Sequence, residues 1–264
     1  MPQLLIAAVD PVRLSSYQNE WARRAGVSPA DVSKEAVASL YVWQVSLNAA
    51  WFETLAYTEA VLRRTVDHSL RVWNLEHGRT ENWLDDGATP LAKFVARSAQ
   101  DARRQAQHAR TIRTVTHKGS RQPLTLDDLV SQLSFGSIST LFPRVPPSDR
   151  TPYKSGLNAR ENLWISGLDK AFPHLTTEQN RGLLGRLPRE IPESVSPGYA
   201  VGRALERLRR LRNRISHHEQ TFSVEHVQRL HDVSALLRSI DPGAARSLAR
   251  LDRVRRTLAL RPLP

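Results

Sequence analysis

Cysteine is absent from all 264 residues. No disulfide and no thiolate-bound zinc is therefore open to this chain, and the composition fits a reducing, cytoplasmic setting. Long apolar runs are missing as well. The longest is Leu4–Val9, far short of the roughly 18 residues that a membrane span needs. It also lacks the basic leader and the cleavage-type tail of a signal peptide, so no membrane partner is expected. Internal repeats and low-complexity tracts are absent too, which sets solenoids and arrays aside. Lysine is scarce, standing only at Lys34, Lys93, Lys118, Lys154 and Lys170, so arginine supplies 33 of the 38 basic residues.

What is present is positive charge, a net +12 at neutral pH. Arginine grips phosphate through a planar fork, whereas lysine acts as a point charge, so the bias suits a polyanionic partner such as RNA. A GC-rich coding sequence produces the same bias without any function, and high net charge speaks to partners but not to fold. Apolar content is an ordinary 40%, enough for one large domain or two small ones, and one compact helical domain is the expectation.

The pattern is helical nearly throughout, because alternation of strand length is scarce and Ala, Leu, Arg, Glu and Gln dominate. Helices are expected near 11–25, 29–73, 90–113, 126–142, 155–172, 176–187, 197–218, 223–240 and 242–258, the second open to a break around Ser39. Ser28 before Pro29, Thr125 before Asp127 and Asp128, Thr176 before Gln179, and Ser196 before Pro197 mark helix starts. Joints fall at 77–89, 143–152 and 188–198, where Gly, Pro and Asp gather.

Two charges stand on stripes that should be apolar. Leu47, Trp51, Leu55, Leu62, Val66 and Leu70 share one helical face, and Glu59 lies on it. Val201, Leu205, Leu208, Leu211 and Ile215 form a second stripe, with Arg212 inside it. A buried charge needs a partner or a water-filled site, so either Glu59 pairs with Arg212 across a helix interface or Arg212 faces a cleft that Glu59 supports. Glu206, Arg210, Asn213 and His217 form a polar stripe on the opposite side, flanked by Arg203, Arg207 and Arg214.

Those residue types fit one reaction. RNA is cut without a cofactor when its own 2′-hydroxyl attacks the adjacent phosphorus, provided protons are moved and phosphoryl charge is stabilised. Histidine transfers protons near neutral pH, and arginine holds two phosphoryl oxygens at once. Arg212, Asn213 and His217 supply that set, with Arg203, Arg207, Arg210 and Arg214 as candidate RNA contacts. The Arg-x4-His spacing alone means little. It occurs three times, at Arg63/His68, Arg103/His108 and Arg212/His217, where chance gives about one. His218 points about 100° away from His217 and is expected to cap or pack.

The longer string Leu211-Arg212-Asn213-Arg214-Ile215-Ser216-His217-His218-Glu219 distinguishes the third pair. It resembles the Arg-Asn-Arg-x-x-His-His-Glu signature of the Abi-like (abortive infection) branch of the HEPN superfamily. Trp51-Phe52-Glu53-Thr54-Leu55 through Glu59-Ala60-Val61-Leu62-Arg63 resembles that family's first long helix. Leu133-Ser134-Phe135-Gly136 resembles its Leu-Thr-Phe-Gly segment, and Leu163-Trp164 with Leu168-Asp169-Lys170-Ala171-Phe172-Pro173 resembles its Leu-Trp…Ala-Phe-Pro segment. Gln220 stands where family members carry proline, and Asp169 where they carry a basic residue.

The resemblance implies an all-α HEPN-type helical bundle with additional helices. It would run over 1–264 as one domain, with a helical insertion at approximately 74–195 between the core helices. It further implies a metal-independent endoribonuclease in phage-defence or toxin–antitoxin settings, with no cofactor, acting as a homodimer and held by an RNA or protein antitoxin. Arg212 and His217 would then be catalytic and Asn213 their polar helper, with Glu59 and His218 in support. Two other readings stand beside it: an RNA-binding protein that grips without cutting, and a structural domain in which Arg212 and His217 merely pair.

Overall fold

A computed structural model describes residues 6–116, 123–153, 155–185 and 191–262. Leu4 and Leu5 of the apolar run, and residues 188–190 of the last joint, lie outside the described residues. Among those described, every regular element is a helix, and the chain is all-α as expected. In chain order the helices are α1 (Pro11–Ala25), α2 (Lys34–Glu76), α3 (Leu91–Thr116), α4 (Leu126–Ser131), α5 (Phe135–Ser139) and α6 (Ala159–Ser166). They continue with α7 (Thr177–Leu184), α8 (Ser196–Ser216), α9 (His226–Ile240), α10 (Pro242–Leu251) and α11 (Val254–Ala259).

Contacts gather the chain into two compact units, each discontinuous in sequence. Unit 1 comprises 1–57, 210–228 and 247–264, and unit 2 comprises 58–209 and 229–246. Both apolar stripes are buried as their periodicity requires. Leu47 and Trp51 in unit 1, and Leu62, Val66 and Leu70 in unit 2, are all at or below 1% exposure. Val201, Leu205 and Leu208 are completely buried in unit 2.

Local chemistry redraws several boundaries. The expected helix at 126–142 divides because the Ser134 hydroxyl accepts the Ser137 N–H at 3.1 Å, starting α5 afresh. The helix expected from 155 begins at Ala159, where Asn158 and Glu161 cap each other's backbone amides. That helix stops at Gly167, where a Cβ would sit 2.6 Å from Trp73. The expected 242–258 helix divides at Asp252, whose carboxylate takes the Val254 N–H. No break occurs near Ser39, since α2 is continuous from Lys34 to Glu76.

In unit 1, Trp43 donates its indole N–H to the Thr257 carbonyl at 2.7 Å, fastening α11 to α2. The Arg261 guanidinium lies 5.0 Å over the Trp43 ring and bonds Glu20 at 2.7 Å. In unit 2, Phe142, Trp164 and Phe172 form one aromatic cluster with centroids 5.8–6.2 Å apart. The fully buried Glu161 accepts from Arg150 at 2.8 Å and from the Tyr199 hydroxyl at 2.9 Å. Burial and that carboxylate push the Tyr199 phenol well above its ordinary range.

Candidate active site

The last two turns of α8 carry Arg212, Asn213 and Arg214, and His217 follows the final helical residue. Leu211 and Ile215 are buried at 2% and 6%, which fixes the rotation of this end of the helix. Arg212 and Asn213 are then half-buried, while His217 and His218 are exposed. Among the described residues, neither the Arg212 guanidinium nor the Asn213 amide makes a side-chain hydrogen bond or ion pair. Two strong polar groups are therefore brought to the same helix end with no side-chain partner among the described residues. Side chains with full hydrogen-bonding capacity and no internal use are what a ligand site requires.

The helix ends in a Schellman turn. His217 N–H bonds the Asn213 carbonyl at 3.0 Å, His218 N–H the Ile215 carbonyl at 3.0 Å, and Glu219 N–H the Arg214 carbonyl at 2.8 Å. The turn needs a left-handed residue after the helix, normally glycine, and here His218 takes it at φ +54°. His218 thus caps the helix through its backbone.

The segment beyond the turn is pinned by Arg214, expected from the sequence to contact RNA, and by Gln44 and Thr221, which sequence patterning did not single out. Arg214 donates to the Gln220 carbonyl and, at 3.4 Å, to the Ser223 hydroxyl, and its Nε lies 3.5 Å from the Glu219 carboxylate. Gln44 donates its amide to the buried Thr221 hydroxyl at 2.7 Å. Trp51 donates to His226 Nδ1 at 3.0 Å, so His226 Nε2 carries the proton shared with the Thr221 carbonyl at 3.1 Å. Burial pushes the His226 imidazole down to about 4, so it stays neutral in this role. One signal was available: Gln44 falls on the apolar stripe three residues before Leu47 and seven before Trp51.

The other candidates divide between structural and surface roles. Glu59 is spoken for by Arg63 on the next turn, at 2.7 Å, so its place on the stripe is accounted for within unit 2. Arg207 is equally committed: its fork donates to both oxygens of the wholly buried Asp232, at 2.9 and 2.7 Å, and to the Leu183 carbonyl at 2.9 Å. Arg203 is half-buried, and burial together with the neighbouring Arg207 holds its guanidinium below the ordinary arginine range. Glu206 accepts from Arg144 and Arg209, each at 2.8 Å, while Arg210 is exposed.

Among the described residues, no group of three or more His, Asp or Glu side chains converges in a way that holds a metal ion. No helix there is long and apolar enough to cross a membrane. An open cleft of about 460 Å³ in unit 2, lined by Arg79, Asp86, Ala96 and Arg103 among others, includes none of the candidate residues. Comparison with protein-family models, curated proteins and solved structures returns no match.

Proposed function

We propose that this chain is a metal-independent endoribonuclease of the Abi-like HEPN kind, acting in the cytoplasm as a phage-defence or toxin effector. The observation that carries the reading is the end of α8, where Arg212 and Asn213 have no side-chain partner among the described residues and His217 is exposed, within the Arg-Asn-Arg-x-x-His-His-Glu string. In this reaction the RNA 2′-oxygen bonds to phosphorus as the bond from phosphorus to the 5′-oxygen breaks. One imidazole takes the 2′-proton, and a second gives a proton to the departing 5′-oxygen. Arg212 stabilises the charge that develops on the phosphoryl oxygens, and Asn213 orients the phosphate or the imidazole.

Each copy offers one His217, so a homodimer that brings two α8 ends to one cleft supplies both proton carriers. Arg210 then extends the grip on the RNA backbone, and an antitoxin, RNA or protein, has the same surface to cover. The products distinguish this route. Cleavage of single-stranded RNA in excess EDTA should leave a 2′,3′-cyclic phosphate and a 5′-hydroxyl. RNA retained intact under the same conditions would point to a protein that binds without cutting.

A further inference from the structure

We propose that Arg214 is a positioning residue for His217 rather than an RNA ligand, and that left-handed His218 is the pivot of the turn it clasps. The catalytic half of this inference rests on the ribonuclease reading; the conformational half does not. Arg214 holds the turn from both ends. Its backbone carbonyl receives the Glu219 N–H at 2.8 Å, closing the Schellman ring around His217. Its guanidinium reaches over the same residues to the Gln220 carbonyl and the Ser223 hydroxyl, with Glu219 alongside Nε. His217 therefore sits inside a loop that begins and ends on one residue.

The clasp answers a specific cost. A non-glycine residue in the left-handed region is disfavoured by about 1 kcal/mol or more, and His218 is the one such residue among those described. Released from Arg214, the turn has a reason to relax toward a right-handed or extended conformation at His218. That relaxation moves the His217 Cα and with it the imidazole. Misplacement on the scale of an ångström at a proton-transfer group costs up to about a hundredfold in rate. Lysine at 214 keeps the charge but has no fork to reach Gln220 and Ser223 together.

Glycine at 218 removes the left-handed penalty and so substitutes for the clasp. This gives a rescue that a phosphate contact cannot show. Arg214→Lys should lower kcat for labelled single-stranded RNA by about tenfold or more, with KM and the salt dependence of RNA binding unchanged. Hydrogen exchange at the Glu219 amide, read without RNA, should quicken by a similar factor. Adding His218→Gly should return both kcat and Glu219 protection to within about threefold of wild type, and His218→Gly alone should cut normally. If Arg214→Lys leaves Glu219 protection intact while raising KM and flattening the salt slope, Arg214 is an RNA ligand and the inference fails. If the His218→Gly protein loses activity with its turn intact, His218 has a chemical role and the pivot is wrong. A wild-type protein that cuts no RNA removes the catalytic half together with the ribonuclease reading, while the exchange measurement still decides the clasp.

Discussion

Arginines that look alike in the sequence do different work, and their partners decide which. Arg207 and Arg212 lie five residues apart on α8, yet Arg207 neutralises a wholly buried carboxylate while Arg212 has no ion pair among the described residues. Breaking a buried pair strands a desolvated charge. Arg207→Ala should therefore cost about 2–3 kcal/mol, tempered because Arg229 remains 3.3 Å from Asp232. Arg212→Ala should change stability by less than about 1 kcal/mol, since the Glu59 carboxylate keeps Arg63, and yet cleavage should be lost. Urea unfolding midpoints of the two variants check the contrast, and equal losses would contradict it. His226 adds a pH dependence. Its imidazole falls from an ordinary 6.5 to about 4 on folding, so the unfolded chain binds the extra proton between those values. Its contribution, on the order of 3 kcal/mol, is complete above pH 6.5 and drains away as pH falls toward 4. His226→Asn should flatten the stability profile across that window.

At the scale of elements, periodicity carried most of the reading. The stripes on α2 and α8 are buried where the 3.6-residue repeat placed them, and Thr125 and Thr176 cap as their spacing required, whereas Ser28 caps only a short 3-10 turn at Pro29–Asp31 and the long helix begins at Lys34. Ser134 was missed because a cap between Leu133 and Phe135 looks like any other polar residue, and Asn158 because its capping-box partner Glu161 lies within a stretch already read as helix from 155. The left-handed turn at His218 was equally hidden, since sequence signals for it rely on glycine. Contacts between distant positions, such as Arg207 with Asp232 or Gln44 with Thr221, leave no local trace. Close approach is another such case. A Cβ on Gly202 would lie 2.1 Å from the Pro143 carbonyl oxygen, so the α8 backbone packs against the 142–143 segment only through glycine. Gly202→Ala is expected to destabilise unit 2 by about 3 kcal/mol or more despite alanine's better helix propensity. A thermal melt unchanged by that substitution would contradict this packing.

For the whole molecule, the net charge of +12 remains the strongest indication of a polyanionic partner. Many arginines are nonetheless occupied by carboxylates, as at Glu20, Glu59, Glu161, Glu206 and Asp232. RNA affinity should fall by orders of magnitude between low and moderate salt if several phosphates are engaged. Removing Arg210 should reduce that slope by about one, whereas Arg214→Lys should leave it unchanged. The proposed reaction has His217 moving a proton without a metal. Purified wild type and His217→Ala, matched for folding and RNA binding, should be incubated with end-labelled single-stranded RNA in excess EDTA. The wild type should cleave, leaving cyclic-phosphate ends, and the variant should not. Full activity in the variant, or wild-type activity that vanishes in EDTA and returns with magnesium, would contradict it.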